Sequence, residues 1–190
     1  MILGFIDLKT FYLIFHLIGI ACGVGGVYMS GFIFFSSIRD GKISEIEIKF
    51  IKLASLMVWI GVAILVCSGI LLFSLDVERY MASTKFLAKI TIVGIIILNG
   101  VFYHIRHIPK LVREEGKELN SRDSSILFAS GAVSFVSWTS ALILGAFRSV
   151  PYGYWEIMFF YAMVLAVSVI SALILRSKLL RKKIEKQSVL

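Results

Sequence analysis

His16, Lys89, His104 and His107 are the side chains best suited to chemistry in a chain otherwise built from apolar runs. A neutral imidazole ligates transition metals and accepts protons. A lysine ammonium holds a carboxylate or a phosphate. His16 opens the stretch "HLIGIACGVGGVYMS". On a helix, Gly19, Gly23, Gly26 and Ser30 fall with His16 inside an arc of about 80°. A stripe of small residues admits a neighbouring helix at close range. It also admits a flat cofactor, with His16 at one end as the axial ligand. The spacing supports both uses.

Lys89 lies about one turn inside the apolar run "KFLAKITIVGIIILNG". A lysine at the centre of a membrane helix costs about 2.5–3.5 kcal/mol on insertion scales. Near a helix end the side chain can reach the surface instead. An inward Lys89 needs an acid, and Glu156 is the best placed, with Asp76 and Glu78 as others; a heme propionate serves equally. His104 and His107, in "YHIRHIPK", are one helical turn apart. They could hold a metal, although no clear third ligand is nearby, and an interfacial position is the competing reading. They lie too far along the membrane normal to share an iron with His16. Cys22 and Cys67 sit in apolar runs and read as small buried hydrophobes. Ser130, Ser134, Ser137 and Ala141 share one helix face, suited to helix packing or to a polar path, and Asn99 is expected to bond across helices. Nothing resembles a nucleophile–base pair, a phosphate loop or a zinc-protease motif.

The elements that must position these groups follow from composition. The chain has 190 residues, 58% of them hydrophobic, well above a soluble domain. Its mean hydropathy is +0.90. Five runs reach the length of about 20 residues that a spanning helix needs. They cover about 11–38, 53–75, 86–108, 125–147 and 155–175. The expected fold is all-α, a polytopic bundle of five transmembrane helices in a single domain over 1–190. Pro109 is expected to help end the third helix. Fifteen of the twenty Lys and Arg fall in the first and third connections and in the basic tail 176–190. The positive-inside rule then puts the N-terminus outside and the C-terminus in the cytoplasm. The first run lacks a basic leader and reads as a retained helix. Tyr152, Tyr154 and Trp155 suit an outer aromatic belt. The net charge of +8 comes from residues flanking the spans, which excludes nucleic acid as the partner. The partner is the lipid bilayer, with homo- or hetero-oligomers expected through the Gly and Ser faces.

The first three spans resemble a group of small helical membrane proteins. It includes the HemJ-type protoporphyrinogen IX oxidase and the copper-resistance CopD-type domain. Two features carry the resemblance: His16 followed by Gly25-Gly26, and the Ala88-Lys89 pair that opens the third span. It implies that His16 is an axial ligand of heme b and that Lys89 belongs to the cofactor or substrate site. The chain has Gly23 where an aromatic is usual, lacks the arginine usual near Phe32, and adds a fifth helix. The expectation carried forward is a heme b-binding, cytochrome-like protein of a bacterial or archaeal cytoplasmic membrane. It would transfer electrons or support a membrane oxidoreductase. The cofactor-site residues would be His16, Gly19, Gly23, Gly26 and Lys89, with Met158 as an outer candidate for a second ligand. A transporter-like module for a metal ion or small solute, and an accessory subunit of a membrane complex, are the alternatives.

Overall fold

A computed structural model describes residues 7–40, 44–113 and 120–187. The described chain is helical: α1 (Leu8–Asp40), α2 (Glu45–Ser74), the short α3 (Val77–Met81), α4 (Thr84–Phe102), a π-helical turn (Tyr103–His107), α5 (Ile108–Arg113), α6 (Ser121–Ala146) and α7 (Tyr154–Gln187). Five of the helical segments are long and apolar enough to cross a bilayer, which makes this a multi-pass membrane protein. The helices overrun their apolar runs because polar residues cap them beyond the hydrophobic stretch. Ser44 and Glu47 form a reciprocal capping box that starts α2 well before Leu53. Asp76, Ser83 and Asn120 accept backbone N–H bonds at the starts of α3, α4 and α6.

Pro109 does not end the third span. The helix continues to Arg113, with the π turn directly before the proline. Proline lacks an N–H, and its ring presses on the carbonyl four residues back. A local widening of the helix relieves that clash while the chain stays helical.

The α1–α2 hairpin is the tightest contact in the bundle. A Cβ on Gly61 would lie 2.6 Å from the Gly23 nitrogen and 2.8 Å from the Gly19 carbonyl oxygen. One on Gly26 would lie 2.8 Å from the Ala54 carbonyl oxygen. Backbone here meets backbone, which only glycine allows. The second half of the bundle joins α4, α6 and α7 around Ile92, Ile96, Val136, Trp138 and Tyr161, and Val62 of α2 packs into the same cluster. A further cluster, Phe34, Ile48, Ile51, Leu111, Leu127 and Phe128, closes the opposite end.

Polar side chains fasten these helices in pairs. Tyr28 of α1 bonds Thr139 of α6 at 2.9 Å, and Ser137 of α6 bonds Tyr161 of α7 at 2.8 Å. The Tyr103 hydroxyl meets Ser30. Asn99 Nδ2 donates to the Ser130 carbonyl oxygen and to Ser134 Oγ, and Asn99 Oδ1 accepts from Ser130 Oγ, all within 3.0 Å. The serine face of α6 is therefore spent on α4 and α7. Interhelical bonds in membranes average about 0.6 kcal/mol each. Asn99→Leu should cost about 1–2 kcal/mol in an unfolding titration in mixed micelles. An unchanged midpoint would show that the three bonds contribute nothing net.

Charges lock the two ends. Lys110 pairs with Asp123 at 2.5 Å, and Arg176 Nε donates to Ser124 Oγ at 3.1 Å, joining α5, α6 and α7. At the other end, Lys85 Nζ donates to the Phe147 carbonyl at 2.5 Å and so covers the open C-terminus of α6. Trp155 stands 81% exposed beside Tyr154, whose hydroxyl bonds Thr91. Cys67 is exposed and Cys22 half-buried, so neither is the buried hydrophobe that its apolar run suggested. In a membrane, an apolar run faces lipid as readily as core.

Candidate functional site

His16 points from α1 toward α2, where its Nδ1 lies 3.0 Å from Ser68 Oγ. Ser68 Oγ donates its one proton to the Ile64 carbonyl at 2.6 Å. With the Ser68 proton on Ile64, the tautomer that matches the contact carries its proton on Nδ1 and its lone pair on Nε2. Ser68 is buried and His16 half-buried. Nothing in the residue pattern singles out Ser68, which lies 52 residues away from His16 and looks like any other small residue of a membrane helix.

The glycine stripe below His16 is filled. Gly19 and Gly26 meet α2, and a Cβ on Gly23 would sit 2.0 Å from Trp138 Cη2. The flat ring lying on Gly23 is the protein's own indole, 3% exposed. Of the two uses open to the stripe, close packing is what Gly19, Gly23 and Gly26 do, and a porphyrin does not fit over them. Their role is one step removed: they bring α1 close enough to α2 for His16 to meet Ser68. The Gly and Ser faces expected to bind partner subunits are likewise taken up within the chain.

Lys89, on α4, is close enough for its charge to act on His16. Its side chain is half-buried, and among the described residues it makes no hydrogen bond or ion pair. Glu156, the acid expected to pair with it, instead accepts from the Gly153 N–H at 2.7 Å, closing the turn before α7. Asp76 caps α3 and contacts Arg79. Met158 packs on the apolar cluster around Trp138.

His104 and His107 separate. His104 is exposed and edge-on to Trp59, whereas His107 is 5% exposed between Phe102 and Tyr103, and its Nε2 has no partner among the described residues. The π turn is the reason: it holds more residues per turn than an α-helix, so a three-residue spacing no longer returns to one face. Among the described residues no three His, Cys, Asp or Glu side chains converge on a metal. An open groove of about 400 Å³ between α1 and α2 is lined by Phe11, Phe15, Cys67 and Leu71 and also touches Ser68, but includes neither His16 nor Lys89.

His16 and Lys89 are the two side chains that would hold heme b, an imidazole for the iron and an ammonium for a propionate, while the glycine face is taken by packing. An imidazole fixed through Nδ1–H and offering Nε2 is the usual form of an axial histidine. Among the described residues no acid pairs with the Lys89 ammonium, which can then take a carboxylate. Searches against protein-family models, curated proteins and solved structures give no match to this chain.

Proposed function

We propose that this chain is a heme b-binding, cytochrome-like protein that transfers electrons in a bacterial or archaeal cytoplasmic membrane or supports an oxidoreductase there. Its N-terminus faces outward and its C-terminus the cytoplasm, a reading supported by the excess of Lys and Arg at one end of the bundle. The observation that carries the function is the His16–Ser68 bond, which supplies an oriented imidazole within a spanning helix near Lys89, itself without an ion pair among the described residues. Ionisable groups at such depth are expensive and mark functional sites.

Heme bound here supplies one-electron chemistry at iron. The protein's own residues do the rest. Ser68 takes the Nδ1 proton and fixes the plane of the imidazole. His16 Nε2 binds the iron. Lys89 holds a propionate and offsets its charge. The glycine contacts keep α1 and α2 in register and hold His16 against Ser68.

The test is the visible spectrum of detergent-purified protein, oxidised and dithionite-reduced, after expression with heme supplied. A Soret band that shifts on reduction, with sharpened α and β bands, is the expected result. Protein that stays colourless after supplementation would overturn the reading.

A further inference from the structure

Fifteen of the twenty Lys and Arg, but only eight of the twelve Asp and Glu, belong to the end of the bundle where α2 begins and α4–α5 finish. That end carries a net charge of +7, against +1 at the other. Within the bundle some of these charges are neutralised: Lys49 pairs with Glu45, and Lys110 with Asp123. Five are not. Lys52 on α2, Arg106 in the π turn, Arg113 on α5, Arg122 on α6 and Lys178 on α7 are all exposed. Among the described residues none of the five makes an ion pair.

Their placement identifies the partner. Arg113, Arg122 and Lys178 stand at the ends of spanning segments, and Lys52 and Arg106 lie two turns inside theirs, within the reach of a long side chain to the headgroup layer. They come from separate segments of the bundle. A soluble polyanion or an acidic protein docks on one face and would meet only some of them. Phospholipid headgroups surround every helix end at once. The apolar neighbours suit the same position: Leu53 beside Lys52, Ile105 beside Arg106 and Val112 beside Arg113 are exposed and would enter the acyl region while the cations reach the phosphate layer.

We propose that this rim selects anionic phospholipids, with Lys52, Arg106, Arg113, Arg122 and Lys178 binding the phosphate of phosphatidylglycerol-type headgroups. A surface cation contributes roughly a fivefold preference for an anionic headgroup when unscreened. The proposal is independent of any cofactor and needs no heme in the sample.

The experiment uses the full chain in nanodiscs or vesicles of equimolar phosphatidylglycerol and phosphatidylcholine. Lipids retained through mild detergent extraction are counted by mass spectrometry. The wild type should retain several phosphatidylglycerol molecules for each phosphatidylcholine, and raised salt should lower that ratio. Replacing all five cations by glutamine should bring it to within twofold of one. A charge-keeping control, Arg106→Lys with Arg113→Lys and Arg122→Lys, should retain the enrichment. If the fivefold variant does not fold, the pairs Lys52→Gln/Arg113→Gln and Arg122→Gln/Lys178→Gln should each lower the ratio. Equal retention of both lipids by the wild type would overturn the proposal. So would enrichment that survives removal of the charges, or that inorganic phosphate at millimolar concentration abolishes at constant ionic strength.

Discussion

Gly61→Leu is expected to drive α1 away from α2 and to cost more than about 3 kcal/mol in a micelle unfolding titration. The argument begins with the smaller change. Alanine at position 61 would gain about 0.8–1.0 kcal/mol of helix propensity over glycine. Its Cβ, however, would sit 2.6 Å from the Gly23 nitrogen and 2.9 Å from the Gly23 Cα. Those are backbone atoms of a facing helix and cannot rotate aside as a side chain would. Overpacking of this kind costs about 1–3 kcal/mol, so even Gly61→Ala should be a net loss. Leucine adds three more carbons to the same seam. Gly25→Ala is the internal control, because nothing lies within 4 Å of a Cβ there. That variant should be neutral or gain up to about 1 kcal/mol. If Gly61→Leu and Gly25→Ala had equal midpoints, the hairpin contact described above would be wrong.

The second large effect concerns the spectrum. His16→Ala should abolish the Soret band while leaving the far-ultraviolet helix signal intact, because the α1–α2 seam is held at Gly19, Gly26 and Gly61. Ser68→Ala should act more mildly. It removes the group that takes the Nδ1 proton, and losses of such outer partners typically weaken metal affinity about 10–100-fold. Iron should still bind through Nε2, with the midpoint potential and band positions displaced because the ring is less firmly oriented. Ser68→Thr keeps the hydroxyl and should restore most of the affinity. An unchanged heme spectrum in His16→Ala would remove His16 as the ligand. Equal loss in Ser68→Ala and Ser68→Thr would attribute the effect to packing and not to the hydrogen bond.

How much of this could be read from the residues depends on how far apart the interacting partners lie. The five apolar runs specify five helices, because bilayer thickness converts length directly into span. The face shared by His16, Gly19, Gly23 and Gly26 is also readable, since it follows from the turn of a single helix. What periodicity does not reveal is which neighbour a face meets. Trp138 reaches Gly23 from α6, and Ser68 reaches His16 from the far end of α2. Lys89 and Glu156 looked matched in depth and opposite in charge, yet the Gly153 N–H takes the carboxylate. A backbone donor three residues away outcompetes a lysine on another helix because its position needs no further ordering. At His104 and His107 the α-helical spacing itself misleads, since Pro109 widens the turn on which the argument depends.

The glycine seam also sets an order of events in time. The glycine contacts of the α1–α2 hairpin run from Gly19 to Leu65, so every residue that makes them precedes Ser74 in the chain. His16 then already has Ser68, but Lys89 has not been synthesised. The slot above Gly23 stays vacant until α6 delivers Trp138, more than sixty residues later. Taken by itself, the two-helix hairpin leaves the Gly23 face uncovered. The indole is the late-arriving part that closes it.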